Sequence, residues 1–402
     1  MRLRLRHSPS LFWTCWFIVA SIYLIQYGLM VFPASVIDTL QHQLHLTSVE
    51  LGIFSSAFLV SYVLMQVPVG MMFDRFHPIK LFILSLLSMG VGCGLLIIAQ
   101  GFWLGIVSRL FMGFGGSFAF VGTIYLAAEW FEPKVYPMAV GLTEAMSGVG
   151  AIIFSIIFGE LGQIIGAKTI LILIVILLLV LSVIVLVFVP SPTRHNNTAS
   201  FKTMLHHGKA VLFIPEVWLL ALYIGFTFTY FMVITNMWNI VFLQELYHLT
   251  KAQAILDNSL SVIGFLIGGP LYGGLTWYFK KQHLMTTSAL LLTIFIMATH
   301  YFVFPLLIEA VLLFFIGIVT GSVVLCFSLV RDYISSAQRG IAIGFLNMFF
   351  GMFGIIMTPV VGYLYGLTHN PQVAIFPTVI CSSLSIVCCL LLYLLNLKRP
   401  TT

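Results

Sequence analysis

Twelve times in 402 residues the chain runs for about twenty positions or more with scarcely a charged side chain, and nearly every run is set off from the next by a polar break. A hydrocarbon layer about 30 Å thick is crossed by roughly 20 apolar residues in helix, the conformation that satisfies its own backbone where no water reaches. The runs lie near 11–36, 50–73, 79–99, 102–128, 137–160, 168–190, 212–243, 252–278, 284–303, 306–330, 340–365 and 373–396. With 60% of residues hydrophobic and 7% charged, against roughly a quarter charged in a soluble domain, no aqueous fold hides this much apolar surface. The first run follows the basic segment MRLRLRH and is longer than the apolar core of a cleavable signal, so it reads as a retained helix.

The net charge of +6 is spread over many short loops, which reports topology rather than nucleic-acid binding. Threading the runs with the N-terminus inside puts 15 of the 18 Lys and Arg on the cytoplasmic side, leaving Lys168 and Lys251 outside and Arg109 within a span. Both termini and the polar 191–211 stretch are then expected in the cytoplasm, where the acceptor-like Asn196, Asn197, Thr198 triplet meets no glycosylation machinery. All six cysteines fall inside apolar runs and read as packing against lipid, without disulfides. No ligand-spaced partner accompanies Cys388 and Cys389, no phosphate loop ending in Lys-Ser or Lys-Thr occurs, and no catalytic constellation is visible. Neither an enzyme nor a cofactor is expected.

An internal repeat emerges at an offset of 203 residues. Gly141, Glu144, Gly148, Ala151, Ser155 and Gly159 recur as Gly344, Asn347, Gly351, Gly354, Thr358 and Gly362. Glu129 and Trp130 meet Asp332 and Tyr333, while Leu46, Thr47 and Glu50 meet Leu249, Thr250 and Gln253. The expected organisation is an all-α membrane protein whose twelve transmembrane helices form two pseudo-symmetric six-helix bundles, 1–190 and 212–402, joined by a cytoplasmic linker at 191–211. Parallel repeats of this kind suit a carrier that rocks one half against the other around a central site.

Within PVGMMFDRFHPIK, the residues Gly70, Asp74, Arg75 and Lys80 have the chemistry of a latch: a carboxylate at a helix end meets the positive N-terminus of another helix, and the cations meet carboxylates or lipid phosphates. Plain positive-inside anchoring would also account for Arg75 and Lys80. The second-half counterpart, PLYGGLTWYFKKQ, keeps Pro270, Gly273, Lys280 and Lys281 but has Trp277 in place of the aspartate. In SRLFMGFGGSF, Arg109 lies four residues from both Gly105 and Gly113, on a small-residue stripe that faces protein. A charge there needs a partner, either an anionic substrate group or backbone carbonyls and polar groups of the first helix. These two segments resemble the loop 2–3 and helix 4 signatures of the major facilitator superfamily, and the resemblance spans nearly the whole chain. It departs at His77, where the family has glycine, and at Pro78 and Ile79, where it has basic residues.

The resemblance implies alternating access, with Asp74 holding helix ends together in one state and releasing them in another. Glu144, between Gly141 and Gly148, is a carboxyl without an evident cation, able to take and release a proton as water access alternates; its repeat partner is the neutral Asn347. A structural carboxyl satisfied by neighbouring hydroxyls is the other reading. Further cavity candidates are Gln26, Tyr27, Tyr230, Asn236, Asn239 and Asn258, a mixture suited to a small polar substrate. Gly141 and Gly150 keep the first spacing of the helix 5 exporter signature, but its Gly-Pro pair is missing. AAEWFEP, together with the two signature segments, is most similar to bacterial metabolite carriers and the branch that includes lysosomal dipeptide transporters. The expectation is therefore a monomeric, proton-coupled carrier of an amino acid, dipeptide or organic acid in a bacterial inner membrane. An exporter of siderophores or drugs and a non-transporting sensor are the alternatives.

Overall fold

The structure is a computed structural model and describes residues 9–190 and 208–397; the 191–211 linker expected from the sequence lies largely outside the described residues. Twelve helices are long and apolar enough to cross a membrane, and no strand occurs among the described residues. They are α1 (Pro9–Val31), α2 (Ser48–Arg75), α3 (Pro78–Ile98), α4 (Phe102–Trp130), α5 (Tyr136–Ile156), α6 (Ala167–Phe188), α7 (Pro215–Tyr247), α8 (Lys251–Leu275), α9 (Lys281–Tyr301), α10 (Leu306–Val330), α11 (Arg339–Thr368) and α12 (Pro371–Leu397). Large apolar side chains stand exposed along them, Val183, Leu186 and Phe188 of α6 among them, as a surface turned toward acyl chains requires.

The first helix ends earlier than its apolar run. Pro33, which has no backbone N–H to donate, sits in a 3₁₀ turn at Phe32–Ser35, and a separate short helix follows at Ile37–Leu44. The repeat is visible in the way the second helix of each half begins. His45 and His248 both take the left-handed conformation at φ 53°, and each precedes a capping box. In the first, Thr47 N–H donates to Glu50 at 2.9 Å and Glu50 N–H returns to Thr47 Oγ1 at 3.3 Å; Thr250 and Gln253 repeat the pattern at 3.0 and 3.4 Å.

Helices in lipid gain little from the hydrophobic effect, so they pack where small residues let backbones approach and hydroxyls bridge them. A Cβ on Gly113 of α4 would run into the Phe58 carbonyl of α2. Ser61 of α2 donates to Leu110 O at 3.0 Å, and Ser85 and Ser88 of α3 donate to Gly115 O and Phe111 O at 2.6 and 2.9 Å. All six cysteines are buried and free. They pack inside the protein, contrary to the lipid-facing placement expected from their apolar runs, because a small polarisable thiol fills interior gaps.

Close contacts divide the chain into two compact units. Among the described residues, the first takes in α1–α4, the later part of α5 from Met146, α6 and the segment Ala337–Gly344 at the start of α11. The second takes in Pro133–Ala145 at the start of α5, α7–α10, the rest of α11 from Phe345, and α12. Each unit thus holds the beginning of one helix whose remainder belongs to the other.

Candidate functional site

The start of α11 is held in the first unit by the end of α2. The Gly70 position has no room for a Cβ against the Gly340 carbonyl, and Gly344 likewise approaches Gln66 O. With the backbones this close, the Asp74 carboxylate reaches the first turn of α11 and accepts from Gly340 N–H at 2.7 Å and Ile341 N–H at 3.0 Å. These amides belong to the first helical turn, which has no intrahelical partner for them, and the helix dipole favours the negative charge. Beside them, Arg339 pairs with Glu129 of α4. Of the remaining latch candidates, Arg75 lies over the Phe76 ring at 5.3 Å and Lys80 is exposed.

Arg109 is fully buried in the first unit. Its guanidinium donates to Leu29 O at 2.6 Å and Met30 O at 3.0 Å, and lies 4.8–5.6 Å from the rings of Phe32, Phe54 and Phe58. Leu29 and Met30 are in the last turn of α1, whose carbonyls lack intrahelical N–H donors because the helix stops before Pro33. Arg109 therefore caps the C-terminus of α1, where a cation is favoured by the dipole. Gln26 is also buried, packed against Gly116, and Tyr27 packs on Tyr23 at 6.2 Å between ring centroids.

In the second unit, α7 opens into a π-helical stretch at Phe231–Trp238. Asn258 of α8 donates to Thr235 O at 2.9 Å within that stretch and accepts from Asn239 Nδ2 at 2.8 Å. A side chain that enters the backbone ladder widens it, and π segments of this kind recur at functional sites. The two buried asparagines are thus brought together, whereas Asn236 is exposed with its amide 3.5 Å from Met232 Sδ, and Tyr230 is buried in an apolar cluster with Val233, Ile234 and Ile296. Glu144 and Asn347 are both buried. A groove of about 460 Å³ in the first unit is lined by Ser61, Leu64, Met65, Leu110, Phe111 and Phe114; Ser61 donates to backbone carbonyls, so the lining suits an acyl chain better than a polar solute. No cluster of metal-ligating side chains occurs among the described residues.

A family model described as Major Facilitator Superfamily matches residues 15–256 and 226–402. The chain belongs to the Major Facilitator Superfamily. It is similar to a probable sulfoacetate transporter of Cupriavidus necator, 24% identical over 82% of each chain. It is also similar to a probable galactarate/D-glucarate transporter of Escherichia coli K12, 24% identical over 89% of this chain and 88% of that one. A nitrate/nitrite transporter of Nostoc punctiforme is 33% identical over 28% of this chain and 22% of its own length. In fold, the chain superposes on the superfamily transporter FucP in its outward conformation with a TM-score of 0.78 at 16% identity, covering 95% of this chain and 99% of that one. The human organic anion transporter MFSD10 gives 0.76 at 14% identity over 95% and 100%. This chain is a multi-pass membrane transporter of the superfamily with a small-molecule substrate.

Sequence reasoning anticipated the chemistry of the Asp74 contact and the repeat, but not three interactions beside them: Arg339 with Glu129, Arg331 over the Tyr136 ring at 5.2 Å, and the Trp277 indole donating to Lys134 O at 3.0 Å. The alignment of Glu129 and Trp130 with Asp332 and Tyr333 was the available signal, since it places an acidic residue followed by an aromatic one at the same point of each half.

Proposed function

We propose that the chain carries a small organic acid or zwitterion, an organic acid first and an amino acid or dipeptide second, by proton-coupled alternating access. The observation that supports the alternating step is the Asp74 carboxylate on the amides of Gly340 and Ile341, a contact made of one carboxylate and two helix-end donors. The substrate class draws on the printed names of the relatives: sulfoacetate, galactarate, D-glucarate and nitrate are all anions at neutral pH. Arg109 would serve it by holding the end of α1 in place, and Gln26, Tyr27, Tyr230, Asn236, Asn239, Asn258 and Asn347 are the candidate polar contacts. Glu144 is the candidate proton carrier, a buried carboxyl in a helix lined with glycine. The distribution of 15 of 18 cationic side chains favours both termini and the 191–211 linker in the cytoplasm, and the organisms of the relatives favour a bacterial inner membrane; the 1–190 and 212–402 halves would rock within a monomer.

Uptake of radiolabelled organic acids, amino acids and dipeptides into proteoliposomes under an imposed pH gradient tests the reading. Accumulation of one class is expected, abolished by Glu144→Gln while exchange of labelled for unlabelled substrate continues. Full gradient-driven accumulation by Glu144→Gln rejects the proton role, and ligand binding without flux for every class rejects transport in favour of sensing.

A further inference from the structure

The repeat brings Trp277 to the place of Asp74, Gly273 to that of Gly70, and Tyr136 and Pro137 to those of Arg339 and Gly340, each at the 203-residue offset. The backbones repeat the crossing as well. In the second unit Gly273 of α8 lies against Pro137 O and the Met138 backbone, and Gly141 of α5 against Gly269 O, matching Gly70 with Gly340 and Gly344 with Gln66 in the first. The chemistry does not repeat. Position 137 is proline, so the amide corresponding to the Gly340 donor of the 2.7 Å bond does not exist, and a carboxylate at 277 would face a carbonyl-rich turn with one donor fewer.

Trp277 answers with the opposite polarity. Its indole N–H donates to the Lys134 carbonyl at 3.0 Å, and the Lys134 ammonium lies 5.6 Å from the centre of the same indole. Next to it, the counterpart of the Arg339–Glu129 pair is also an aromatic contact: Arg331 lies over Tyr136, and Asp332 turns away to Lys281 at 3.2 Å. Carboxylates hold the start of α11, whereas rings hold the start of α5.

We propose that Trp277 is a positioning residue of the transport cycle, its indole clamping the start of α5 to the end of α8 as the uncharged counterpart of the Asp74 clamp. The proposal rests on the alternating-access reading. It differs from a general interfacial role, in which an indole anchors a helix end at the headgroup level and any amphipathic ring suffices. It also carries a physical signature. The Trp277 bond is a neutral N–H to carbonyl contact, which salt does not screen.

The experiment uses the full chain in lipid nanodiscs and follows maleimide labelling of the thiol introduced by Met138→Cys at the α5 crossing, or by Ile341→Cys at the α11 crossing; the native cysteines are buried. No substrate is needed. Trp277→Phe and Trp277→Tyr, which both lack the indole donor, are expected to speed labelling at 138 about fivefold, the change made by roughly 1 kcal/mol, with the same increment when ionic strength is raised about tenfold. Lys134→Met, a surface change that leaves the carbonyl in place, is expected to speed it by a smaller factor. Asp74→Asn is expected to speed labelling at 341. If Trp277→Tyr labels like the parent, or Trp277→Phe leaves the rate unchanged while Asp74→Asn raises its own, the indole is only an interfacial anchor and the proposal fails. If Asp74→Asn also leaves position 341 unchanged, alternating access at these crossings is what fails.

Discussion

Arg109 illustrates how a single side chain is assigned by its surroundings. Its position among small residues in α4 pointed to a cation enclosed by protein, and enclosure is what the structure has. Two partners were compatible with that position, a substrate anion or the carbonyls of α1; the structure shows the second contact, because Pro33 ends α1 early and leaves Leu29 O and Met30 O in need of donors. Arg109→Met leaves both carbonyls unpaired and is expected to cost about 1–3 kcal/mol, read as a lower unfolding temperature in detergent. Arg109→Lys, which retains one charged donor without the guanidinium fork, is expected to fall between. Equal unfolding temperatures for all three proteins would remove the capping role. Asn239 and Asn258, two further candidates for substrate contact, are brought together: Asn239 donates to Asn258, and Asn258 donates to Thr235 O.

At the level of helices, glycine has two different meanings that the sequence does not separate. Gly113 lies where α4 meets the Phe58 carbonyl of α2, while a Cβ on Gly52, near the start of the same α2, meets nothing within 4 Å. Gly113→Val forces the two backbones apart and is expected to destabilise by about 1–3 kcal/mol. Gly52→Ala, in contrast, reduces the freedom of the unfolded chain and is expected to stabilise by about 0.5–1 kcal/mol. Thermal unfolding of the two variants side by side checks the contrast, and a stabilised Gly113→Val would contradict the close approach. The helix starts were more legible. Thr47 with Glu50 and Thr250 with Gln253 announce capping boxes at fixed spacing, and both are formed.

For the whole molecule, the prediction concerns the contact proposed to open during transport. Asp74→Asn removes the charge that the first turn of α11 attracts and leaves one good acceptor for two amides, so initial uptake is expected to fall about tenfold, with Asp74→Glu intermediate. Proteoliposome uptake at saturating substrate measures it, and parental rates in Asp74→Asn would place the clamp outside the cycle. Hydropathy and charge alone carried the twelve spans and the membrane class, because these depend on composition summed along each segment and a bilayer reads that sum directly, while residue matches at the 203-residue offset carried the duplication. The same local reasoning carried the character of Asp74, a carboxylate at a helix end seeking a helix start. It could not carry which partners meet, since Arg109 and Leu29 are 80 residues apart and Gly340 lies 266 from Asp74. Those pairings, the π-helical opening of α7 around Thr235 and the exchange of a carboxylate clamp for an indole clamp follow from how closely particular backbones approach. Such approaches are decided by small residues on different helices acting together, and no single stretch of the chain contains them.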